Sequence, residues 1–370
     1  MDWEKIIGQK ALQKQLIDSI DANRVGHAYL FTGNEGYGAL PLALAFAKEI
    51  FLRENPDAAS KIEHLNHVDL HFSFPVFTEN RKSVSSKWFA TFREMVLENP
   101  YFSLDDWMNY LDSANKQFFI STAEIEEQIE HFTLKSFEGG SKILIVWRAD
   151  KMNVAAANKL LKFLEEPPEK TIILMTANSV QDLLPTILSR VQIVEIPRIT
   201  DEDLMEKIST DFQTPSLPVP ELIAKAQGDY NLFLKLKNGT ENEDFEALFI
   251  QWVREAFQVR KRPEKLKNII LWARNIAGWN REKQKSFLAY CAEMFRLAMM
   301  QNYGQSDLVY KKIESTGFQW ETFSTFIHGA NIEDIITQLS ETDYHLERNG
   351  NPKIIWTDMG IKLSRYIHKK

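Results

Sequence analysis

Gly33-Asn34-Glu35-Gly36-Tyr37-Gly38-Ala39-Leu40 lies between a short apolar run, His27-Ala28-Tyr29-Leu30-Phe31, and a stretch of helix formers, Leu42-Ala43-Leu44-Ala45-Phe46-Ala47. Strand, glycine loop and helix in that order form the setting of the phosphate-binding motif G-x-x-x-x-G-K-[ST], and Gly33, Gly36 and Gly38 keep its skeleton. The chemistry is missing from it. Ala39 stands where the lysine belongs and Leu40 where the magnesium-binding hydroxyl belongs. A lysine there supplies positive charge to the β and γ phosphates and the hydroxyl completes the metal's coordination, so two apolar residues remove both. The order constrains the chain to an α/β fold, and the substitutions argue against a self-sufficient ATPase.

At 370 residues the chain suits two or three domains, since single cores stop growing at roughly 250–300 residues. Hydrophobic residues at 44% and charged residues at 26% are those of a soluble globular protein. No apolar run approaches the ~18 residues of a membrane span, and Met1-Asp2-Trp3-Glu4-Lys5 has no signal-peptide character, so a cytoplasmic location is expected. The single cysteine, Cys291, sits in a helical pattern as a small core residue. A net charge of −7 argues against a protein that holds DNA by itself through a broad basic surface, though not against a contact made inside an assembly.

Alternation continues beyond the loop. Val68 to Phe77 reads as a strand region; Ser121 and Glu124 offer a capping box for a helix through Ile125, Ile129 and Phe132. Lys142-Ile143-Leu144-Ile145-Val146 and Thr171-Ile172-Ile173-Leu174-Met175-Thr176 read as buried parallel strands flanking a helix from Asn153 to Glu166. From Thr200 onward strand signals fade. Helices are expected at Asp201–Ser209 and Pro220–Gln227 around a proline-rich link, Pro215 to Pro220, and Asn238-Gly239-Thr240-Glu241-Asn242 is a polar linker into an all-helical remainder. The aromatic cluster between Phe72 and Tyr110 reads as core or interface, with no basic interleaving to suggest base stacking.

Three segments carry a resemblance: His27 to Phe31, the run Ala155-Ala156-Ala157-Asn158-Lys159-Leu160-Leu161-Lys162-Phe163-Leu164-Glu165-Glu166-Pro167-Pro168, and Leu184-Pro185-Thr186-Ile187-Leu188-Ser189-Arg190. Together they resemble the bacterial clamp-loader AAA+ proteins, and within them the delta-prime group of DNA polymerase III, over roughly residues 5 to 235. The resemblance implies a RecA-like AAA+ parallel-sheet domain with a degenerate loop (1–198), a small helical lid (199–240) and an all-α collar for oligomerisation (241–370). It also implies assembly with gamma/tau-like ATPase and delta subunits, which load a sliding clamp on primed DNA. No cofactor is expected.

Departures from the motifs point to a member that does not hydrolyse ATP. The family's acidic pair after the third strand is replaced by Trp147 and Arg148, which can neither coordinate a metal nor accept a proton. Asp150 survives, and its simplest role is to cap or brace the next helix. In the lid, Gly228-Asp229-Tyr230-Asn231 puts Asn231 where an arginine would sense the γ-phosphate, and Asn178, at the family's other sensor position, reads as a turn residue. Ser189-Arg190-Val191 keeps the first two residues of the Ser-Arg-Cys motif. The resemblance implies that Arg190 is an arginine finger reaching a neighbouring subunit's nucleotide site; the alternative is a structural arginine bonded to a helix end. The four-cysteine zinc module of many relatives has no counterpart, and His64, His67 and His71 are a weak substitute, so no metal is assigned.

Two other readings stay open on the residues. One is a P-loop ATPase with a non-standard site, in which Lys142 or Arg148 replaces the missing lysine. The other is an AAA+-derived interaction protein outside replication.

Overall fold

The computed structural model describes all residues except 79–82, 112, 114–115, 212–218, 238–242, 280, 306–307, 310, 314–316, 349 and 370. The chain separates into two compact units, Met1–Leu111 with Gln117–Gly239, and Thr240–Lys370 with the stretch Asp112–Lys116. Parts of the proline-rich link and the whole polar linker expected from the sequence lie outside the described residues.

The first unit is built on a five-stranded parallel sheet: β1 (Ala28–Thr32), β2 (Leu70–Ser73), β3 (Lys142–Val146), β4 (Thr171–Ala177) and β5 (Gln192–Glu195), in the order β2-β3-β4-β1-β5. This is the parallel sheet anticipated from the sequence. Alternate residues feed two cores. Tyr29, Phe31, Ile143, Ile145 and Leu174 join one cluster, while Ala28, Leu30, Leu144, Val146 and Ile173 join the other. Both faces are therefore covered, which is why these strands read as unbroken apolar runs. β5 was not anticipated: it pairs only with β1 at the sheet edge and buries only Val194, so it lacks an apolar pattern.

The principal helices of this unit are α1 (Lys10–Asp21), α2 (Ala39–Glu54), α3 (Phe89–Glu98), α4 (Leu104–Tyr110), α5 (Thr122–Thr133), α6 (Val154–Glu165), α7 (Asp201–Asp211), α8 (Val219–Ala226) and α9 (Tyr230–Lys237). Ser121 caps α5 by accepting from Glu124 N at 3.1 Å, but the expected reciprocal half of the box is absent. Glu124 is buried and turns instead to Ser85, accepting from its N–H and its hydroxyl at 2.6 Å each. A complete capping box occurs at α4, between Ser103 and Asp106.

The second unit is helical: α10 (Glu243–Val259), α11 (Leu266–Ile276), α12 (Arg281–Asn302), α13 (Ile332–Glu347) and α14 (Pro352–Tyr366). The apolar stripe Phe249, Trp252, Val253 and Ala256 is consumed by this unit's own core, against Trp272, Phe295 and Phe323. Cys291 is fully buried there, as expected, and burial pushes its thiol well above the ordinary range. Among the described residues no helix is long and apolar enough to cross a membrane.

Candidate functional site: a cleft at the glycine loop, filled from within

The glycine loop leaves the carboxyl end of β1, as the motif demands, and α2 begins directly at Ala39. Gly36 and Gly38 take left-handed backbone angles, φ +76° and +107°, that favour glycine. Leu40 does more than omit a hydroxyl: its side chain is buried in the core beneath the loop, with Ala39 packed against the same cluster. Gly38 faces Tyr101, whose ring carbon would lie 3.3 Å from an added β-carbon, and the Tyr101 hydroxyl accepts from Ile7 N at 2.9 Å.

Trp147 and Arg148 follow β3. Trp147 is buried, its ring 4.7 Å from Phe102 and 5.5 Å from Phe92, within an aromatic cluster that also holds Phe74 and Trp107. This gives the aromatic region between Phe72 and Tyr110 its role: it packs the space behind the loop. Arg148 is buried too, with φ +57°, and its N–H donates to Thr176 Oγ1 at 3.0 Å. Its guanidinium donates to both oxygens of Asp150, Nε at 2.9 Å and Nη2 at 2.7 Å, and through Nη1 to Glu35 of the glycine loop. Glu35 also accepts from Leu104 N at 3.1 Å. Asp150 therefore braces Arg148 rather than the following helix, whose cap is Asn153, accepting from Ala156 N at 2.8 Å.

What remains of the cleft is a cavity of about 30 Å³ lined by Glu35, Gly38, Tyr101, Trp147, Arg148 and Asn178 among others. That is room for about two or three water molecules, well below the roughly 300–1,000 Å³ of an ordinary small-molecule site. The charge is spent as well, because two carboxylates already pair with the Arg148 cation. Lys142, the other candidate replacement for the lysine, heads β3 and so lies a strand's length from the loop. It donates to His131 O and Leu134 O at 2.5 and 2.9 Å.

The segment expected to form the lid closes over the loop within the same unit. Asp229 accepts from Leu232 N at 2.9 Å at the start of α9, and Tyr230 N donates to Gly36 O at 3.2 Å. Burial, reinforced by Glu35, pushes the Asp229 carboxyl up to about 7. Asn231 is buried and donates to Asp106 Oδ2 at 2.7 Å while accepting from Asn99 Nδ2 at 3.1 Å. Lys235 pairs with the other Asp106 oxygen at 2.7 Å. Burial pushes Asp106 up, but Lys235 and the Ser103 hydrogen bonds outweigh it and hold the carboxyl below its ordinary range. The Asn231 side chain is thus a structural amide. Asp229, Asp106, Glu35 and Tyr101 were not singled out by the sequence reading, since each acts through a partner distant in the chain.

Arg190 stands apart from this cleft. It follows a short helical turn, Pro185–Leu188, and is partly exposed. Its guanidinium donates to Thr186 O at 2.8 Å and Ser189 Oγ at 3.0 Å and pairs with Glu165, at the end of α6, at 2.5 Å. Of the three histidines, His67 lies 3.3 Å from Glu138, His64 bonds Ser60 O, and His71 stacks on His131, burial lowering it to about 4. Among the described residues no group of three potential ligands could hold a metal ion.

The model of the family described as "DNA polymerase III, delta subunit" matches residues 8–200. The chain belongs to that family. The matched segment contains the glycine loop, Trp147, Arg148 and Arg190. DNA polymerase III subunit delta' of Bacillus subtilis is 30% identical over 210 residues, 54% of this chain and 52% of that protein. DNA polymerase III subunit tau of the same organism is 24% identical over 219 residues, 59% of this chain and 33% of that protein. The chain therefore spans about half, or less, of the length of these two relatives. Among solved structures, a DNA polymerase III gamma subunit-related protein from Thermotoga maritima aligns with a TM-score of 0.41 at 13% identity, over 97% of this chain and 99% of that one.

Proposed function

We propose that the chain is a non-hydrolysing subunit of the replicative clamp loader, which assembles with gamma/tau-like ATPase and delta subunits and supplies Arg190 in trans to a neighbour's nucleotide. In this reading residues 1–198 form the AAA+ domain, 199–240 the lid and 241–370 the collar, and the sliding clamp and primed DNA are met through the assembly. The observation that carries it is the contrast between two sites on one unit. The chain's own cleft is filled by Arg148, Glu35, Tyr101 and Trp147, whereas Arg190 sits at the surface on a single carboxylate and a helix end. An exposed ion pair contributes about 0–1 kcal/mol and can be exchanged for a phosphate at little cost. An arginine finger acts by neutralising transition-state charge, and its loss costs roughly 10³ to 10⁵ in rate.

Reconstitution with the cognate ATPase and delta subunits, the clamp and primed DNA tests this. Arg190→Ala is expected to leave assembly intact and to depress ATP turnover at the adjoining site by orders of magnitude. Unchanged turnover in an assembled complex would reduce Arg190 to a structural residue. The reading as an unusual ATPase is disfavoured because the only cation at the loop, among the described residues, is already paired twice.

A further inference from the structure

The helical C-terminal unit gathers cations at one end, on a chain whose net charge is −7. α10 closes at Val259 and runs directly into Arg260-Lys261-Arg262, and the turn Pro263–Lys265 returns the chain into α11. α14 finishes at the same end: His368 Nε2 lies 3.0 Å from Phe257 O and the two rings are 5.0 Å apart. This brings in Arg365 and Lys369.

Part of this charge is neutralised. Lys265 pairs with Glu255 at 3.2 Å, Lys362 with Asp358 at 2.8 Å and Lys369 with Asp334 at 2.5 Å. Arg260, Lys261, Arg262, Lys267 and Arg365 are exposed, and among the described residues their side chains make no ion pair or hydrogen bond. The facing carboxylate of the turn is Glu264. Helix-end electrostatics account for cations after α10 and in the last turn of α14, but Lys267 lies in the first turn of α11, where the dipole disfavours it. The cluster is therefore more than a helix cap.

We infer that this end of the helical unit is a phosphodiester contact surface that takes the backbone of duplex DNA without reading its bases. Two unpaired guanidinium forks separated by one lysine suit phosphate oxygens, which accept the parallel N–H pairs of arginine. The surroundings distinguish this partner from an acidic protein. Near this end the exposed large apolar side chain, among the described residues, is Leu271, one turn along α11 from Lys267, and a single leucine falls short of the clustered aromatic anchors on which a protein interface relies. Phe257 and Tyr366 pack against the core, leaving no ring for base stacking. The inference rests on this unit alone and is independent of the role of Arg190.

Fluorescence anisotropy of a short labelled duplex titrated with the full chain, over about 50 to 200 mM salt, tests it. The wild type is expected to bind with an affinity that falls as salt rises. Arg260→Ala with Arg262→Ala should weaken every duplex sequence alike and reduce the slope of log affinity against log salt by about 2, near 0.9 for each lost phosphate contact. Lys14→Ala with Arg24→Ala, an equal charge change at exposed positions of the other unit, should leave the slope unchanged, and melting curves confirm folding of both variants. Absence of wild-type binding overturns the inference, as does equal weakening by both pairs. Equal affinity for a polyglutamate peptide overturns it in favour of an acidic protein partner.

Discussion

Gly36 of the glycine loop and Asp229 at the start of α9 are in direct contact: a β-carbon at Gly36 would lie 1.7 Å from Asp229 Oδ1. The contact joins the glycine loop to the start of α9, and the Tyr230 N–H, which donates to Gly36 O at 3.2 Å, reinforces it. Gly36→Ala should cost about 1–2 kcal/mol for the left-handed backbone alone, with a further loss from displacing the carboxylate. Hydrogen exchange reads the consequence locally, and amides of α9 are expected to lose protection. Wild-type exchange rates in α9 would show that the loop and the lid segment are not coupled through this contact.

The same carboxylate makes stability depend on pH. Asp229 is raised from 3.8 to about 7, chiefly by burial, so between these values the folded state binds a proton that the unfolded state has released. Stability from this group is fully present below about pH 4 and is lost as pH rises through 7, a swing of roughly 4 kcal/mol at most. Asp229→Asn, which cannot ionise, should flatten that part of the profile and protect α9 more than the wild type at pH 8. Urea unfolding and exchange at pH 5 and pH 8 check the sign. A wild-type unit more stable at pH 8 than the variant contradicts the assignment.

Arg148 and Asp150 form a buried pair whose partners depend on each other. Removing one partner strands the other charge, at a cost of about 3–5 kcal/mol, whereas replacing both by apolar residues is often neutral. Asp150→Ala is therefore expected to lower the unfolding free energy by about 3 kcal/mol, the low end because Glu35 still contacts the guanidinium. Adding Arg148→Met should recover most of the loss. A double variant no more stable than the single one would show that Asp150 stabilises the fold by some route other than Arg148.

Most of the sheet was legible in the sequence because β1, β3 and β4 are buried on both faces and so are apolar without interruption. The edge strand β5 carries no such run, since three of its four residues face outward. The departures from the motif's chemistry at Ala39, Leu40, Trp147 and Arg148 are readable residue by residue, because the motif asks for a particular side-chain type at each position. What takes the place of that chemistry is not. The pairing of Arg148 with Glu35 spans 113 residues and that of Asn231 with Asp106 spans 125, and neither spacing has a periodicity that a sequence could display. The half-formed box at Ser121 fails for the same reason: Glu124 is drawn to Ser85, which arrives from a different part of the chain.

Restoring the motif should not restore the site. Ala39→Lys with Leu40→Thr returns the side chains that contact phosphate and metal, and a cleft that had merely lost them would regain nucleotide affinity. Here the space is filled independently, by Tyr101 over Gly38, by Trp147 within its aromatic cluster, and by Arg148 bound across the mouth to Glu35. The new lysine would also meet the Arg148 cation at close range, and Leu40 would be lost from the core, at about 2–4 kcal/mol. Titration with a fluorescent ATP analogue and magnesium is expected to show no saturable binding by the double variant. Adding Arg148→Asp and Tyr101→Ala, which empties the cleft and returns a carboxylate beside the loop, should yield measurable affinity if occlusion is the barrier. Binding by the double variant alone would mean that side-chain chemistry, and not packing, keeps nucleotide out.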